Sequence, residues 1–128
     1  MEFINDSKAT NVDSTAWALR NLNKPIVLIA GGRDKGIDYS LVSDLVKEKV
    51  KALVLIGEAK DKIKNALGRV VPHIDVGSMQ EAVEEAFKKS TPGDCVLLSP
   101  MCASFDMFQN YEHRGRVFKE SVLDLAKD

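Results

Sequence analysis

Three stretches of this chain are apolar without a polar interruption: IVLIA (26–30), ALVLI (52–56) and CVLL (95–98). A strand that can be apolar at every position must be covered on both faces, which is the condition of a strand inside a parallel sheet. Between these runs the apolar residues return every three or four positions, the signature of amphipathic helices. Strand and helix patterns alternate about five times. That order predicts one α/β domain, doubly wound, with a mostly parallel sheet and helices on both faces, joined by right-handed crossovers.

The elements can be placed in turn. EFIN (2–5) reads as a short strand. Asn11 or Asp13 can cap a helix that turns Val12, Ala16, Leu19 and Leu22 inward and ends near Asn23 and Pro25. After PIVLIA (25–30), GGRDKGIDYS (31–40) reads as a loop. A helix with Leu41, Val42, Leu45 and Val46 on one face is expected next. KALVLIG (51–57) is a strand, and 59–67 a helix with Ile63, Ala66 and Leu67 inward and Gly68 at its end. VVPHIDV (70–76) holds a shorter strand. Ser78 and Glu81 form a capping box for a helix carrying Met79, Ala82, Val83, Ala86 and Phe87. TPGD (91–94) is a turn before the last buried strand. A final helix is expected from Arg116, with Val117, Phe118, Val122 and Leu125 inward.

At 128 residues the chain is the size of one domain, 1–128, with no linker, repeat or low-complexity tract. A net charge of −1 provides no pull towards nucleic acid or an anionic membrane surface. No apolar run has the length of a membrane span, and no secretory leader is visible, so a cytoplasmic location is expected. Cys95 and Cys102 read as small buried thiols of a reducing compartment, and no ligand spacing suggests a metal site. Met1 and Glu2 run straight into the first strand, which predicts a domain belonging to a longer chain.

In an open α/β sheet, ligands bind outside the carboxyl ends of the strands. Three polar loops leave such ends: NDSKATN (5–11), GGRDKG (31–36) and SPMCASFD (99–106). GEAKD (57–61) and VGSMQ (76–80) read as ordinary connections. Neither a Walker phosphate loop nor a GxGxxG fingerprint is present. Gly31 and Gly32 read as a tight turn. Lys35 sits where a cation would project over the sheet edge towards an anion. Asp6 can accept from a ribose hydroxyl, and Lys8 can meet a phosphate or carboxylate. Ser104 or Asp106 is expected to cap a short helix, whose start would aim free N–H groups at the crevice. Phe105 and Phe108 read as core, and Tyr111 as the residue best suited to line a rim. Lysines, hydroxyls and a helix start imply a site for a small anion with more than one carboxylate or phosphate. With no nucleophile–base pair evident, the chemistry would be positioning.

In order and spacing, INDSKATN, GGRDKG and LSPMCASFDMFQNYEHRG resemble the C-terminal domain of the Mur ligases, across essentially the whole chain. The resemblance implies the third domain of an ATP-dependent enzyme of peptidoglycan synthesis, hence of cell shape and division. It is strongest to the member that adds D-glutamate to UDP-N-acetylmuramoyl-L-alanine through an acyl phosphate. It also implies site roles. Thr10, Lys35 and Ser104 would hold the D-glutamate carboxylates, with Phe105 and Tyr111 flanking the pocket; the family often has Leu and Phe there, so the phenol is a departure. Asp6 and Lys8 would face the nucleotide, Asp6 towards the ribose. ATP and Mg²⁺ would serve the full enzyme, none being held tightly by this domain alone. The partners would be D-glutamate and the N-terminal and central domains of the same chain, and the isolated domain would be inactive. The strand pairing EFIN on its outer side is absent here, which is expected to loosen the NDSK loop. Two other readings stay open: a stand-alone binding or regulatory module on the same fold, and a sister ligase adding a different amino acid.

Overall fold

The computed structural model describes residues 2–125. The chain forms β1 (Glu2–Asn5), α1 (Val12–Asn21), β2 (Ile26–Gly31), a 3₁₀ turn (Tyr39–Val42), α2 (Ser43–Lys49) and β3 (Val50–Ile56). There follow α3 (Lys60–Leu67), β4 (His73–Asp75), α4 (Met79–Lys89), β5 (Cys95–Leu98) and α5 (Tyr111–Leu125). The five strands form one sheet in the order β1-β5-β2-β3-β4, and every pairing is parallel. The predicted doubly wound α/β class is therefore the observed one.

The strict alternation of side chains along a strand splits the apolar runs between two cores. Ile26, Leu28 and Ala30 of β2 join Leu53, Leu55 and Leu97 under α1, α2 and α3. Val27 and Ile29 point the other way and join Val54, Ile56, Val96 and Leu98 under α4 and α5. β2 and β5 are buried at every residue because a helix layer covers each face. The caps follow the sequence pattern. Asn11 accepts from the Ser14 N–H at 2.9 Å, and Ser78 from the Glu81 N–H at 3.1 Å.

Five local expectations need correction. Leu41 is 70% exposed, because the chain enters α2 through a 3₁₀ turn whose three-residue period rotates it away from Val42 and Val46. Phe87, near the end of α4, is 48% exposed rather than inward. No helix starts at Ser104 or Asp106. α5 begins at Tyr111, five residues before the expected Arg116, with Asn110 accepting from the His113 N–H at 2.7 Å as its cap. Gly31 is part of β2 rather than of the loop after it.

One half-buried ion pair sits at the far end of the sheet from the polar loops. Lys51 Nζ lies 2.6 Å from Asp94 Oδ2, and the Thr91 N–H donates to the same oxygen at 2.8 Å. The Lys51 bond, then the Thr91 bond, hold the Asp94 carboxyl below 3.8. A depressed folded-state pKa stabilises the fold fully above the unfolded value, and that contribution is lost as pH falls through the folded one. Asp94→Asn should cost about 1–2 kcal/mol at neutral pH, a figure reduced for the partial exposure of Lys51. The gap from wild type should close as pH falls below 3.8. Urea midpoints measured across that range check this; a gap independent of pH would reject it.

Candidate functional site

The strand order settles where the three polar loops lie. β1, β5 and β2 are consecutive parallel neighbours, so the loops leaving their carboxyl ends emerge side by side. β2 continues to α2 on one face of the sheet and β5 to α5 on the other. The crevice between them is a topological switch point, where such sheets bind ligands.

Backbone bonds fasten the loops to one another. The Asp6 N–H donates to Leu98 O at 2.8 Å, Met101 to Ala9 O at 3.0 Å, and Arg33 to Ala103 O at 2.9 Å. Met101 is fully buried at φ 65, a left-handed conformation uncommon for a side chain of its size. The Arg33–Ala103 bridge puts Lys35 two residues, and Ser104 one residue, from a shared bond.

Lys35 and Lys8 are exposed, and neither has an ion-pair or hydrogen-bond partner among the described residues. The loop that presents Lys35 is shaped by its neighbour Asp34. That carboxylate accepts from the Gly36 N–H at 3.0 Å and from Lys62 Nζ at 3.2 Å. Burial pushes Asp34 up, but the Gly36 and Lys62 bonds outweigh it and hold the carboxyl below its usual range. Lys62 also lies 5.7 Å from the Tyr39 ring centroid. Asp34 therefore shapes the loop from within, and Lys35 remains available to a ligand.

Asp6 is half-buried. Its Oδ2 accepts from Ser99 Oγ at 2.9 Å, and that hydroxyl shares a second bond, 2.8 Å, with buried Thr15. Burial raises the Asp6 carboxyl from 3.8, only partly offset by the Ser99 bond. Asp6, Lys8, Ala9, Asp13, Ser14 and Trp17 line a cleft of about 420 Å³. Trp17 is 67% exposed, so the indole forms an open wall. The helical pattern had no use for it, since it lies off the buried stripe.

Ser104 is buried and Thr10 half-buried, both next to residues that bridge the loops. Without a helix start at Ser104, no row of helix N–H groups faces the crevice there. The Ser104 carbonyl instead accepts from Met107 and Phe108 N–H, closing a turn. Phe105 is 62% exposed, against its reading as core, and Tyr111 is 39% exposed. Phe108 packs edge-on against His113.

Three residues hold the site together in roles that the sequence reading did not give them. Arg114 is completely buried. It donates to Ser7 Oγ (3.0 Å), Ser7 O (2.7 Å) and Cys102 O (2.9 Å), joining the first loop to the third. Burial lowers its guanidinium to about 10, which leaves it charged at neutral pH. This clasp ties the NDSK loop, beside the edge strand β1, to α5 and the third loop. The signal was present: Arg114 precedes Phe118 by four positions on the buried stripe of α5. It could be read only once the helix was known to start at Tyr111.

Asp106 and Gly57 are the other two. Asp106 Oδ2 accepts from the Glu58 N–H at 2.8 Å, and the Ala59 N–H donates to Gly32 O at 2.8 Å. GEAKD is therefore an anchor for two site loops and not an ordinary connection. Cys102 and Cys95 are both buried free thiols, Cys102 sharing a 3.1 Å bond with the Tyr39 hydroxyl. Burial pushes each thiol up to about 11. Among the described residues no group of three or more His, Cys, Asp or Glu is placed to hold a metal ion, and no helix is long and apolar enough to cross a membrane.

A second cleft, about 430 Å³, lies at the opposite edge of the sheet around Leu22, Pro25 and Val50. Its lysines are already engaged: Lys24 with Glu2, Lys49 with Leu22 O and Lys51 with Asp94.

The family model described as "Mur ligase, glutamate ligase domain" matches residues 1–102. The chain belongs to the Mur ligase family. It is a Mur ligase C-terminal domain. It is 52% identical over 126 residues to the UDP-N-acetylmuramoylalanine–D-glutamate ligase of Chlorobaculum parvum (strain DSM 263 / NCIMB 8327), covering 98% of this chain and 27% of that protein. It is 49% identical over 124 residues to the enzyme of the same name from Salinibacter ruber (strain DSM 13855 / M31), covering 96% of this chain and 27% of that one. The chain thus spans about a quarter of the length of the curated relatives it matches.

Within this Mur ligase domain, Gly57 is the tightest point of the anchor. At φ 76 it lies so close to its neighbours that a Cβ would stand 2.5 Å from Asp106 Oδ2 and 2.9 Å from Gly32 Cα. Gly57→Ala should cost roughly 1–3 kcal/mol through backbone strain and crowding. Thermal or urea unfolding checks this. An unchanged midpoint would mean that the 57–61 loop is not locked to Gly32 and Asp106.

Proposed function

We propose that this chain is the amino-acid-receiving domain of an ATP-dependent ligase that adds D-glutamate to UDP-N-acetylmuramoyl-L-alanine in cytoplasmic peptidoglycan synthesis. The observation that carries this reading is the meeting of the NDSKATN, GGRDKG and SPMCASFD loops on three adjacent strands, in a chain about half identical to enzymes of that name. In this reading Lys35, Thr10 and Ser104 hold the two carboxylates of D-glutamate. Phe105 and Tyr111 flank the pocket, whose open aromatic surfaces suit contact with the rest of the enzyme on closure.

Asp6 and Lys8 face the nucleotide, Asp6 towards the ribose and Lys8 towards a phosphate. Trp17 is in the same cleft. ATP and Mg²⁺ would be held chiefly by the central domain, the N-terminal one holding the UDP-sugar, and ATP would supply the phosphoryl group that activates the substrate carboxylate as an acyl phosphate. The D-glutamate amine then attacks the acyl carbon, the amide C–N bond forms, and inorganic phosphate leaves. The part of this domain is to present that amine while gripping the carboxylates. No side chain here acts as nucleophile or base, so the catalytic advantage it supplies is orientation. The reacting groups come from different domains, and closure is required.

Two outcomes are expected. The isolated chain turns over no ATP; phosphate release by the purified domain would contradict this. In the full-length ligase, Lys35→Ala should raise KM for D-glutamate roughly tenfold or more, the worth of a charge-assisted contact, with little change in KM for ATP. Steady-state phosphate release with each substrate varied checks it. An unchanged KM and kcat for D-glutamate would remove Lys35 from the site.

A further inference from the structure

Resting on the ligase reading above, we infer that Arg114 is a positioning residue that locks the nucleotide-facing loop to the amino-acid-facing loop. Its guanidinium has no exposed surface, and each of its three donor nitrogens bonds one of these two loops. Ser7, which receives two of the bonds, stands between Asp6 and Lys8. Cys102, which receives the third, stands two residues before Ser104. Ser7 Oγ also donates to Tyr111 O at 2.7 Å, and Asn5 Nδ2 to Gly115 O at 3.1 Å. The first turns of α5 are therefore tied to the 5–7 segment at three places, Tyr111, Arg114 and Gly115.

A purely packing role would not need this residue. Burying a charge is costly until its partners offset it, and a well-packed apolar side chain often fills such a space at no loss of stability. Among the described residues no carboxylate bonds to the guanidinium; Asp106 acts on it only as a nearby negative charge. What the guanidinium provides is a planar fork that can reach two loops at fixed angles. An ammonium on a flexible stem cannot reproduce it. Displacing either loop then moves Asp6 and Lys8 relative to Ser104 and Tyr111, and the two substrates lose their mutual alignment. Shifts of about 1 Å are enough to cost up to 100-fold in an orientation-dependent reaction.

The test uses the full-length ligase, with Arg114→Lys and the milder Ser7→Ala, which keeps the Ser7 carbonyl contact. KM and kcat are measured for ATP and for D-glutamate, beside the thermal midpoint and the folded fraction at assay temperature. The expected result for Arg114→Lys is a rise in both KM values by roughly tenfold, and for Ser7→Ala a smaller rise in both, about threefold. A fall in kcat that only tracks the folded fraction, with both KM values unchanged, would overturn the inference. So would a rise confined to one substrate. If Arg114→Lys does not fold, Ser7→Ala decides on the same criteria. Wild-type enzyme that releases phosphate with another amino acid but not with D-glutamate refutes the substrate reading instead. The linkage is then judged on the amino acid it does use.

Discussion

A single buried cation organises the carboxyl edge of this sheet. Arg114 reaches from α5 to the carbonyls of Ser7 and Cys102 and to the Ser7 hydroxyl. Without those donors, buried acceptors in two loops would be left unpaired, each at a cost of about 1–3 kcal/mol. The loops are otherwise short of structure of their own. They carry no helix between Asn5 and Asn11 or between Ser99 and Asn110. Their shape is imposed by what they bond to, and Arg114 is what they share.

The sheet determines why that shape matters. Because β1, β5 and β2 are parallel neighbours, three loops far apart in the chain arrive at one edge. Because β2 and β5 hand on to helices on opposite faces, a crevice opens between them. A second set of ties closes the edge from the other side, where Asp106 holds Glu58 and Gly32 holds Ala59. Within this frame most charged groups are consumed by structure: Asp34 by Gly36 and Lys62, Asp6 in part by Ser99. Lys8 and Lys35 are exposed and unengaged among the described residues.

Much of this was legible beforehand. The apolar runs at 26–30, 52–56 and 95–98 announced doubly covered strands, and Asn11 and Ser78 announced their helices, because these signals are local and need no partner to be read. The loops bearing Lys35, Asp6 and Ser104 were recognisable for the same reason. Failures came where a neighbour distant in sequence overrode the local pattern. Ser104 and Asp106 have the chemistry of helix caps, yet Asp106 is used by Glu58 and the helix waits for Asn110. Leu41 and Phe105 have the chemistry of core residues but stand exposed, the first turned away by a 3₁₀ turn and the second carried on a surface loop.

Periodicity and composition alone determined the class of fold, the order of its elements and the short list of loops with chemistry in them, since hydrophobic burial is proportional to area and indifferent to which partner covers it. Only the tertiary structure decided the strand order β1-β5-β2-β3-β4, which makes three of those loops neighbours. It alone decided that Arg114, unremarkable in a run of charged residues, is the buried fork between two of them. Hydrogen bonds are directional and short in range, and their partners here lie up to 110 positions apart in the chain, a separation no local pattern records.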